Sequence, residues 1–521
     1  MENNTSKFIL KQNGEKFEVK SNKAIMDIKF NRIAFLFFLF FLISLIYSIH
    51  LFHLGSRDIN SIKSNNFNSP SKSQRADIID REGVFLAKTV SSIDIGINPV
   101  EIIDKKKMLI NLKYIFPKKD YKLIESQLDN KKFFWFEKKI SNEKYQKIMM
   151  LGDKSIKPHE KLTRVYPQKN LFSHIIGQID DGNNGISGLE KSLDSKLKKN
   201  DTTIQLTVDK DIQFLIRNEL TRFNEIFSTI GSTAILMNVK NGEIISIVSL
   251  PDFDPNQRIK ITDVNFINRA TKGVYELGSV FKTFTLAAAL NEGVIDPNTK
   301  FENLEKTLKC GKNTISEYDK KIPSNLTAAE ILIRSGNIGS VRIGQSLGID
   351  KFRDFMNNMN LINSIEFDIH EIGQPLSFNW GKCKLATASY GHGITTTILQ
   401  LTNAYSIIAN GGYKIEPTLV MKDKYHKGKK ILNDNVSKDI ISILRKIVTT
   451  KEGTASLANI DGYEIAGKTG TAQKSTQGGY SRKKINTFAS IFPASNPKYA
   501  LIVMLDEPKT NSEYIYNYRD G

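Results

Sequence analysis

The sequence predicts an α/β (α+β) ectodomain with a five-stranded antiparallel sheet and helices, preceded by an elongated α+β module and one N-terminal transmembrane helix. Three observations lead to this prediction: an apolar run near the start, strand patterns at both ends of residues 202–521, and helical patterns between them. The 521 residues are enough for several domains, and 40% apolar residues are enough to bury cores. This composition excludes a largely disordered protein.

The chain is basic, because 74 Lys and Arg residues outnumber 55 Asp and Glu residues and give a net charge of +19. Only 15 of the basic residues are arginine, which base-reading and phosphate-clamping surfaces favour. The sequence has no compact basic helix or aromatic–basic motif. The charge is interpreted as compositional bias with some attraction to anionic lipid, and no nucleic-acid partner is expected.

The first predicted element is a membrane helix over residues 33–53, where about 20 residues carry no charge, the length that crosses a bilayer core. Five basic residues precede this run within twenty positions and three follow it. Since positive flanks stay in the cytoplasm, residues 1–32 are predicted to be a cytoplasmic tail and the remainder to lie outside. A cleaved signal peptide is the alternative, but no small-x-small site follows Phe52.

Residues 58–200 are predicted to form an α+β module that begins with a linker rich in Ser and Asn over residues 60–72. Residues 92–98 alternate as a strand does, and residues 105–154 are helical in pattern and rich in lysine. This module contains no obvious nucleophile or metal cluster.

Charged residues lie at turns of this module, namely Arg75, Asp80 and Arg81 in one segment, Arg164 in another and Glu190 in a third. Because the planar arginine fork fits a carboxylate, Glu190 is predicted to meet one of these arginines across the chain and hold the module's shape. The alternative is that all five are solvated surface charges.

Residues 202–521 carry strand patterns at both ends. A Lys-Asn-Gly turn joins the first two strands as a hairpin, and helical patterns run from Ser279 to about Ile440. The predicted strands are Ser232–Val239, Glu243–Leu250, Tyr463–Thr471, Asn486–Phe492 and Tyr499–Leu505. Two early strands and three late ones indicate one five-stranded antiparallel sheet with helices on its faces.

The first candidate for chemistry is Ser279, which Lys282 follows at position i+3. On a helix these two residues share a face, so the amine can act as the base for the hydroxyl. Gly278 allows close approach of another backbone, and the apolar residues that follow predict a buried helix. The chain has six Ser-x-x-Lys matches, so an isolated match is better interpreted as a helix-capping serine with a solvated lysine.

Two further groups follow along the chain. Ser335 and Asn337 lie two apart on a turn before an apolar helix, where both can face a cleft, although a helix cap is the simpler interpretation of either alone. Lys468–Thr471 is a Lys-Thr-Gly-Thr segment on an alternating strand, with Gly467 and Gly470 allowing another backbone alongside. An exposed edge strand, protected by its lysine, is the alternative interpretation.

Together the three groups match, in order and spacing, the active site of the serine penicillin-recognising enzymes. The surrounding segments extend the match: Gly231–Glu243, Pro251–Asn256, Tyr390–Ile394, Gln400-Leu401, Ala409–Gly412, Arg75–Gly83, Arg164–Pro167, His174–Gly177 and Gly185–Glu190. From about residue 70 onward the chain resembles the class B, monofunctional penicillin-binding proteins, and most closely the division-specific septal transpeptidase.

Two short segments, Gly462-Tyr463 and Asp506–Pro508, favour the division branch over the elongation branch. Two features depart from the family pattern. Leu277 replaces the usual proline before Gly-Ser, which we expect to be tolerated because only the turn is affected. The chain stops at Gly521, where family members continue into a helix, so either the sequence is a fragment or its C-terminal cover is missing.

The resemblance implies the serine penicillin-recognising transpeptidase fold for residues 202–521 and a pedestal, or dimerisation-like, domain for residues 58–200. It also implies a serine acyl-enzyme with Ser279 as nucleophile and Lys282 as base, kept neutral by crowding with cationic Lys468. Ser335 is implied to relay a proton, and Asn337 to support Lys282 and the donor peptide. The substrate carboxylate and backbone are implied to be bound by Lys468, Thr469, Gly470 and Thr471. The N–H groups of Ser279 and Thr471 are implied to form the oxyanion hole.

The implied activity is that of a peptidoglycan D,D-transpeptidase, which cross-links stem peptides during septal wall synthesis. The implied partners are peptidoglycan stem peptides, β-lactam inhibitors, and a lipid-linked glycan polymerase with other division proteins, which bind through the membrane helix and pedestal. The implied location is the bacterial inner membrane, with a single pass and a periplasmic catalytic domain. No cofactor and no metal is expected, since the seven histidines are scattered.

Alternative functions are an elongation-type transpeptidase, a D,D-carboxypeptidase, an anchored β-lactamase, or a catalytically idle division scaffold or β-lactam sensor. A class A β-lactamase would carry Ser-Asp-Asn on a short chain without a pedestal. The three intact motifs favour an enzyme over a scaffold. The sequence leaves open whether Cys310 and Cys383 pair.

Overall fold

The computed structural model describes residues 11–12, 15–16, 23–55, 75–199, 202–257, 262–311, 313–476 and 479–512. The chain divides into two compact units, Met1–Lys72 and Ser73–Gly521. The linker predicted at residues 60–72 and the chain end at Gly521 lie outside the described residues.

The described residues of the first unit form two short paired strands and a long helix: β1 (Lys11–Gln12), β2 (Glu15–Lys16) and α1 (Lys23–Gly55). Within α1, Ala34–Phe52 is long and apolar enough to cross a membrane, with a mean hydropathy of 2.4. Its side chains are exposed, which suits a helix whose surroundings are lipid rather than protein. The apolar run predicted from the sequence is therefore one part of a longer helix.

The second unit begins with the elements β3 (Ile78–Ile79), β4 (Phe85–Ile97), α2 (Lys105–Ile115), α3 (Tyr121–Asp129), β5 (Phe134–Ile140), α4 (Asn142–Met149), β6 (Ile156–Val165), α5 (Ser173–Ile176), α6 (Gly188–Ser192), α7 (Asp194–Lys199) and β7 (Ile204–Gln205). The strand order is β5-β4-β3-β7, and β6 also pairs with β4. The predicted strand at residues 92–98 is the second half of β4, and the predicted helical region contains three helices and the unpredicted strand β5.

Capping and burial explain the outer part of this segment. Helices α2 and α3 each follow an aspartate, Asp104 and Asp120, whose carboxylate accepts hydrogen bonds from first-turn N–H groups. Apolar residues of the helices and strands then form a small core of their own, which includes the fully buried Ile95, Leu112 and Ile148.

Glu190 lies at the centre of a buried ionic cluster. Its carboxylate accepts hydrogen bonds from the Nε groups of both Arg75 and Arg164, the latter at 2.7 Å, and Arg75 also bonds Asp194 at 2.7 Å. Arg75, Arg164 and Glu190 are 1%, 5% and 0% exposed. The predicted pairing of Glu190 with an arginine is confirmed, and the surface-charge alternative is wrong for these three residues. Arg81 bonds Glu243 at 2.9 Å instead.

The remaining elements are α8 (Lys210–Ile226), β8 (Gly231–Asn238), β9 (Ile244–Leu250), α9 (Lys282–Asn291), β10 (Lys300–Phe301), β11 (Thr307–Cys310), β12 (Asn313–Ser316), β13 (Leu326–Thr327), α10 (Ala328–Ile333), α11 (Asn337–Leu347), α12 (Ile349–Asn358), α13 (Lys382–Ala388), α14 (Ile398–Ala409), α15 (Asp434–Thr449), β14 (Ala466–Thr476), β15 (Gly479–Phe492) and β16 (Tyr499–Asp506). The four short strands β10–β13 interrupt the stretch that was predicted to be helical. They form two small antiparallel pairs: β10 with β13, which are distant in sequence, and β11 with β12, which form a hairpin.

The large sheet has the order β14-β15-β16-β8-β9, and all its pairings are antiparallel. Each of the five predicted strands is present, and the early and late strands meet where β16 pairs with β8, as in the register Tyr499↔Asn238. Strands β14 and β15 extend beyond the predicted ends, because they continue as a hairpin past the sheet.

Helices cover both faces of this sheet. On one face α8 packs its buried Leu220 against Ala234 and Val248. On the other face lie α9, α14 and α15, and every residue of α14 is buried. A helix that is buried all round belongs in a core, so this side of the sheet holds the bulk of the hydrophobic interior.

Candidate active site

Ser279 lies on a tight 3₁₀ turn, Gly278–Phe281, that leads directly into α9 at Lys282. The sequence predicted an α-helical start, and the structure differs by this one turn. Because residues i and i+3 eclipse each other in a 3₁₀ helix, the serine and the lysine still share a side. Ser279 is half-buried, whereas Lys282 is 1% exposed. The nucleophile candidate is accessible and its lysine is sealed in the core.

Two glycines let the nucleophile turn lie against β14. Gly278 has a φ of +62°, and a Cβ there would collide with the carbonyl of Thr471. A Cβ on Gly470 would collide with the carbonyl of Leu277. The backbone of the Ser279 turn and the backbone of the Lys-Thr-Gly-Thr strand therefore touch, which explains why glycine occupies both positions.

The second motif lies between α10 and α11. Ser335 has a φ of +56°, an uncommon conformation for a residue with a side chain, and it is 3% exposed. Asn337, predicted to lie on the turn before the helix, is instead the first residue of α11. The left-handed turn at Ser335 directs the chain so that both residues contact Lys282.

The third motif lies on β14 at the edge of the sheet. Lys468 is 0% exposed, so the alternative of an exposed, protective edge lysine is wrong. Its Nζ donates to the Ser335 Oγ at 2.9 Å and to the Thr469 carbonyl at 2.9 Å. The Thr469 hydroxyl in turn donates to the Thr454 hydroxyl at 2.8 Å.

Hydrogen bonds join the three motifs into one cluster. The Nζ of Lys282 lies 2.5 Å from the Ser335 carbonyl oxygen, 3.2 Å from the Ser335 Oγ and 2.7 Å from the Asn337 Oδ1. The Ser335 hydroxyl is therefore in hydrogen-bond contact with the amines of both Lys282 and Lys468. A hydroxyl both donates and accepts, so it can carry a proton between groups on either side of it.

Burial controls the charge of the two amines. It lowers the pKa of Lys282 to about 7, and the Glu317 carboxylate partly opposes this shift. Burial, together with repulsion from Lys282, holds the pKa of Lys468 well below its usual value. The prediction that Lys468 is what lowers the pKa of Lys282 is thus corrected, since the main cause is removal of that amine from water.

Beside Ser279 an aromatic wall surrounds His392, which the sequence analysis did not single out as a site residue. The imidazole lies 4.7 Å from the Tyr390 ring and 5.6 Å from the Tyr480 ring, between ring centroids, and the Tyr480 hydroxyl donates to Glu276 at 3.0 Å. Burial and the nearby Lys282 lower the pKa of His392 to about 4, so it is neutral at pH 7. From the sequence, only the segment that contains Tyr390 and His392 was identified, without the residues that this segment faces.

A disulfide joins Cys310 at the end of β11 to Cys383 in the first turn of α13. The sequence left this pairing open, because the two cysteines are 73 residues apart. The bond attaches the β11–β12 hairpin to a helix that packs on α11. The hairpin beside the second motif is therefore covalently fixed.

Comparison with known proteins agrees with this architecture. Residues 232–518 match the model of the penicillin binding protein transpeptidase domain, and residues 70–222 match the penicillin-binding protein dimerisation domain. The three motifs all lie in the first of these matches.

The sequences of similar proteins align with most of this chain. A probable peptidoglycan D,D-transpeptidase FtsI of Caulobacter vibrioides is 28% identical over 84% of this chain and 77% of its own length. A peptidoglycan D,D-transpeptidase FtsI of Buchnera aphidicola subsp. Schizaphis graminum is 30% identical over 85% and 83%.

A crystal structure of a peptidoglycan synthetase from Bifidobacterium adolescentis has a TM-score of 0.66 at 19% identity, and covers 84% of this chain and 92% of that one. At this identity the likeness concerns the fold. With both domain models matched in sequence, the chain belongs to the class B penicillin-binding proteins and is most like their FtsI members.

Proposed function

We propose that this protein is a serine-type peptidoglycan D,D-transpeptidase that cross-links stem peptides through an acyl-enzyme on Ser279, during septal wall synthesis. The observation that carries the proposal is the Ser335 hydroxyl in contact with the two buried amines of Lys282 and Lys468, beside the accessible Ser279. In this assignment residues 58–200 are the pedestal and residues 202–521 the transpeptidase domain.

Acylation is proposed to proceed through Ser279, Lys282 and Ser335 in turn. The Ser279 oxygen attacks the carbonyl carbon between the two terminal D-Ala residues, and the neutral amine of Lys282 takes the hydroxyl proton. Ser335 passes a proton to the nitrogen of the departing D-Ala as the C–N bond breaks. Asn337 supports this sequence because its Oδ1 holds the Lys282 amine, at 2.7 Å.

Lys468 is assigned to the substrate carboxylate. A carboxylate beside this amine favours its protonated form, which the buried site otherwise disfavours. The resulting positive charge then opposes protonation of Lys282, so that binding of substrate readies the base. Thr469 and Thr471 lie on the same strand, which lies at one end of the sheet order and is proposed to pair with the peptide backbone.

The oxyanion hole is assigned to the backbone N–H groups of Ser279 and Thr471. The contact between Gly278 and the Thr471 carbonyl supports this assignment, since it brings the two backbones together. Both N–H groups would stabilise the negative oxygen of the tetrahedral intermediate. An amine of a neighbouring stem peptide then attacks the ester, displaces the Ser279 oxygen and loses one proton, completing the cross-link.

Location and partners complete the proposal. The apolar helix Ala34–Phe52 supports a single-pass membrane anchor. The excess of basic residues before this helix supports a cytoplasmic N-terminus and a periplasmic catalytic domain. A lipid-linked glycan polymerase and other division proteins are proposed to bind through this helix and the pedestal. The septal role, as opposed to elongation, is supported by the FtsI names of the relatives.

Penicillin is expected to acylate Ser279 and no other serine. Mass spectrometry of a tryptic digest of the treated ectodomain should find the adduct on the peptide that contains Ser279. Ser279→Ala should abolish labelling and, at a half-buried position, change stability by only about 1 kcal/mol.

Ser195→Ala is the matched control, because Ser195 and Lys198 form the same Ser-x-x-Lys pattern on the exposed helix α7. This variant should label as the wild type does. An adduct on a serine other than Ser279 would remove the basis of the proposal, and persistence of labelling in Ser279→Ala would do the same.

The rate of acylation is expected to rise with pH through about 7. Only the neutral amine can accept the Ser279 proton, and the pKa of Lys282 is about 7, so protonation inactivates the base below that pH. The second-order acylation rate can be measured by stopped flow or on gels between about pH 5 and pH 8. The fall in rate on the acidic side of this pH–rate profile, called the acid limb below, would report the protonation of Lys282. A rate independent of pH across this window would contradict the assignment of Lys282 as base.

A further inference from the structure

Glu317, which follows the β11–β12 hairpin directly, caps the helix that carries the second motif. Its Oε2 accepts from the backbone N–H of Asn337 at 2.7 Å, and its Oε1 accepts from the backbone N–H of Ile338 at 2.8 Å. Both carboxylate oxygens are therefore used on the first turn of α11. The sequence analysis did not select Glu317, because no spacing relates it to the three motifs.

The same hairpin also holds the Asn337 side chain. The Asn337 Nδ2 donates to the Ser316 carbonyl at 2.8 Å, which leaves the Oδ1 to accept from the Lys282 amine at 2.7 Å. Asn337 is thus fixed at its backbone by Glu317, at its amide nitrogen by Ser316, and at its amide oxygen by Lys282. The contacts form an unbroken chain from the hairpin to the amine.

The carboxylate acts on Lys282 by charge as well as by geometry. Glu317 raises the pKa of Lys282, in opposition to burial, although no direct bond joins them in the described structure. The other titratable or charged groups that face this pair are Lys468 on β14, His392 beside the nucleophile turn, Tyr318 and Asp319 after the hairpin, and Arg334 at the end of α10. Glu317 is the acidic group among them that acts on Lys282.

We propose that Glu317 is a positioning residue for acylation, which fixes Asn337 and, through it, the place and charge state of the Lys282 amine. This inference rests on the proposed role of Lys282 as the base for Ser279. The carboxylate does not touch the substrate or Ser279 in this scheme. The Glu317 carboxylate instead holds the Lys282 amine in position relative to Ser279. It also prevents a further decrease in the proton affinity of that amine.

The disulfide makes the role of the charge testable. Cys310–Cys383 fixes the hairpin to α13 independently of Glu317. Replacement of Glu317 therefore leaves the hairpin attached, and the effects of charge and hydrogen bonds can be separated by choice of variant. Glu317→Gln removes the charge and keeps one acceptor, Glu317→Ala removes both, and Glu317→Asp keeps the charge.

The experiment measures the second-order rate of Ser279 acylation by penicillin against pH, with each variant's folding checked by thermal unfolding. Glu317→Gln should move the acid limb to lower pH, because the charge that favours protonated Lys282 is gone. Glu317→Ala should also lower the plateau by about one to two orders of magnitude, because Asn337 and Lys282 lose their support. Glu317→Asp should retain the wild-type limb.

Asp319→Asn is the matched control, since it removes a neighbouring charge that has no bond to α11, and its limb should coincide with that of the wild type. An unmoved limb in Glu317→Gln overturns the inference about charge, and a wild-type plateau in Glu317→Ala overturns the inference about position. If Glu317→Ala does not fold, the positions of the acid limbs of Glu317→Gln and Glu317→Asp test the inference instead. If the wild type itself is not acylated at Ser279, the proposed function fails, and the inference fails with it.

Discussion

Lys282→Met is expected to slow acylation of Ser279 by penicillin by about two to four orders of magnitude, the usual contribution of a general base. Methionine has a similar volume and fills the same buried space, so the loss concerns chemistry more than packing. Two opposing terms act on stability. The variant avoids burying an amine whose pKa is lowered, and it leaves the acceptors on Ser335 and Asn337 without their donor.

Because these terms oppose each other, the free energy of unfolding should change by less than about 2 kcal/mol. Stopped-flow acylation and urea unfolding of the same preparation would test both parts. Lys384→Met offers a comparison, since Lys384 is only partly buried and bonds the Gly393 carbonyl outside the three-motif cluster. Acylation of Lys282→Met at the wild-type rate would show that another group removes the Ser279 proton.

Glu190→Ala is expected to destabilise the second unit by about 3–5 kcal/mol, because two buried arginines would lose the carboxylate they share. Arg75 would keep Asp194, but Arg164 would be left with Thr89, the Arg75 carbonyl and a longer contact of 3.9 Å to Asp77. Urea unfolding of the ectodomain measures this loss directly. Glu143→Ala is the matched control, since it removes an exposed i,i+4 ion pair and should give no measurable change.

In cells, Glu190→Ala should insert in the membrane but fail to support septum formation. Acylation at a temperature where the variant is folded separates two causes. If Ser279 is acylated normally there and septation still fails, the cluster transmits a signal from the pedestal to the active site. Full complementation by Glu190→Ala would contradict the signalling argument, whereas the stability argument is decided by urea unfolding.

The fold was largely predictable because its signals are local. Each of the five strands of the large sheet alternates or is apolar over its length, and the turn at residues 240–242 is a strong hairpin signal. Among the missed strands, β10–β13 are only two to four residues long, and β5, β10 and β13 pair with strands that are distant in sequence. The first turn after Gly278 is 3₁₀ rather than α-helical, a difference set by close packing on β14 that no local pattern encodes.

The spacing of the three motifs was enough to find them in the sequence. The pKa shifts of their lysines could not be predicted from that spacing. Burial, which dominates the pKa of Lys282, depends on the closure of α9, α11 and β14 around one amine and not on the lysine's neighbours in sequence. Glu317 was missed for the same reason. A single acidic residue with no periodic relation to a motif becomes informative only when the fold brings its carboxylate to a helix N-terminus.

The order of the strands also governs how the molecule is made. Strand β8 finds β9 within a few residues, but its other edge pairs with β16, roughly 260 positions later in the chain. A chain emerging from its N-terminus therefore carries an apolar strand edge without its partner until nearly all of the described sequence is available, which exposes it to aggregation. The active site is subject to the same delay. The strand that carries Lys468, β14, joins the sheet only through β15 and β16. The nucleophile turn can therefore pack against β14 in the sheet only after the last two strands have been synthesised.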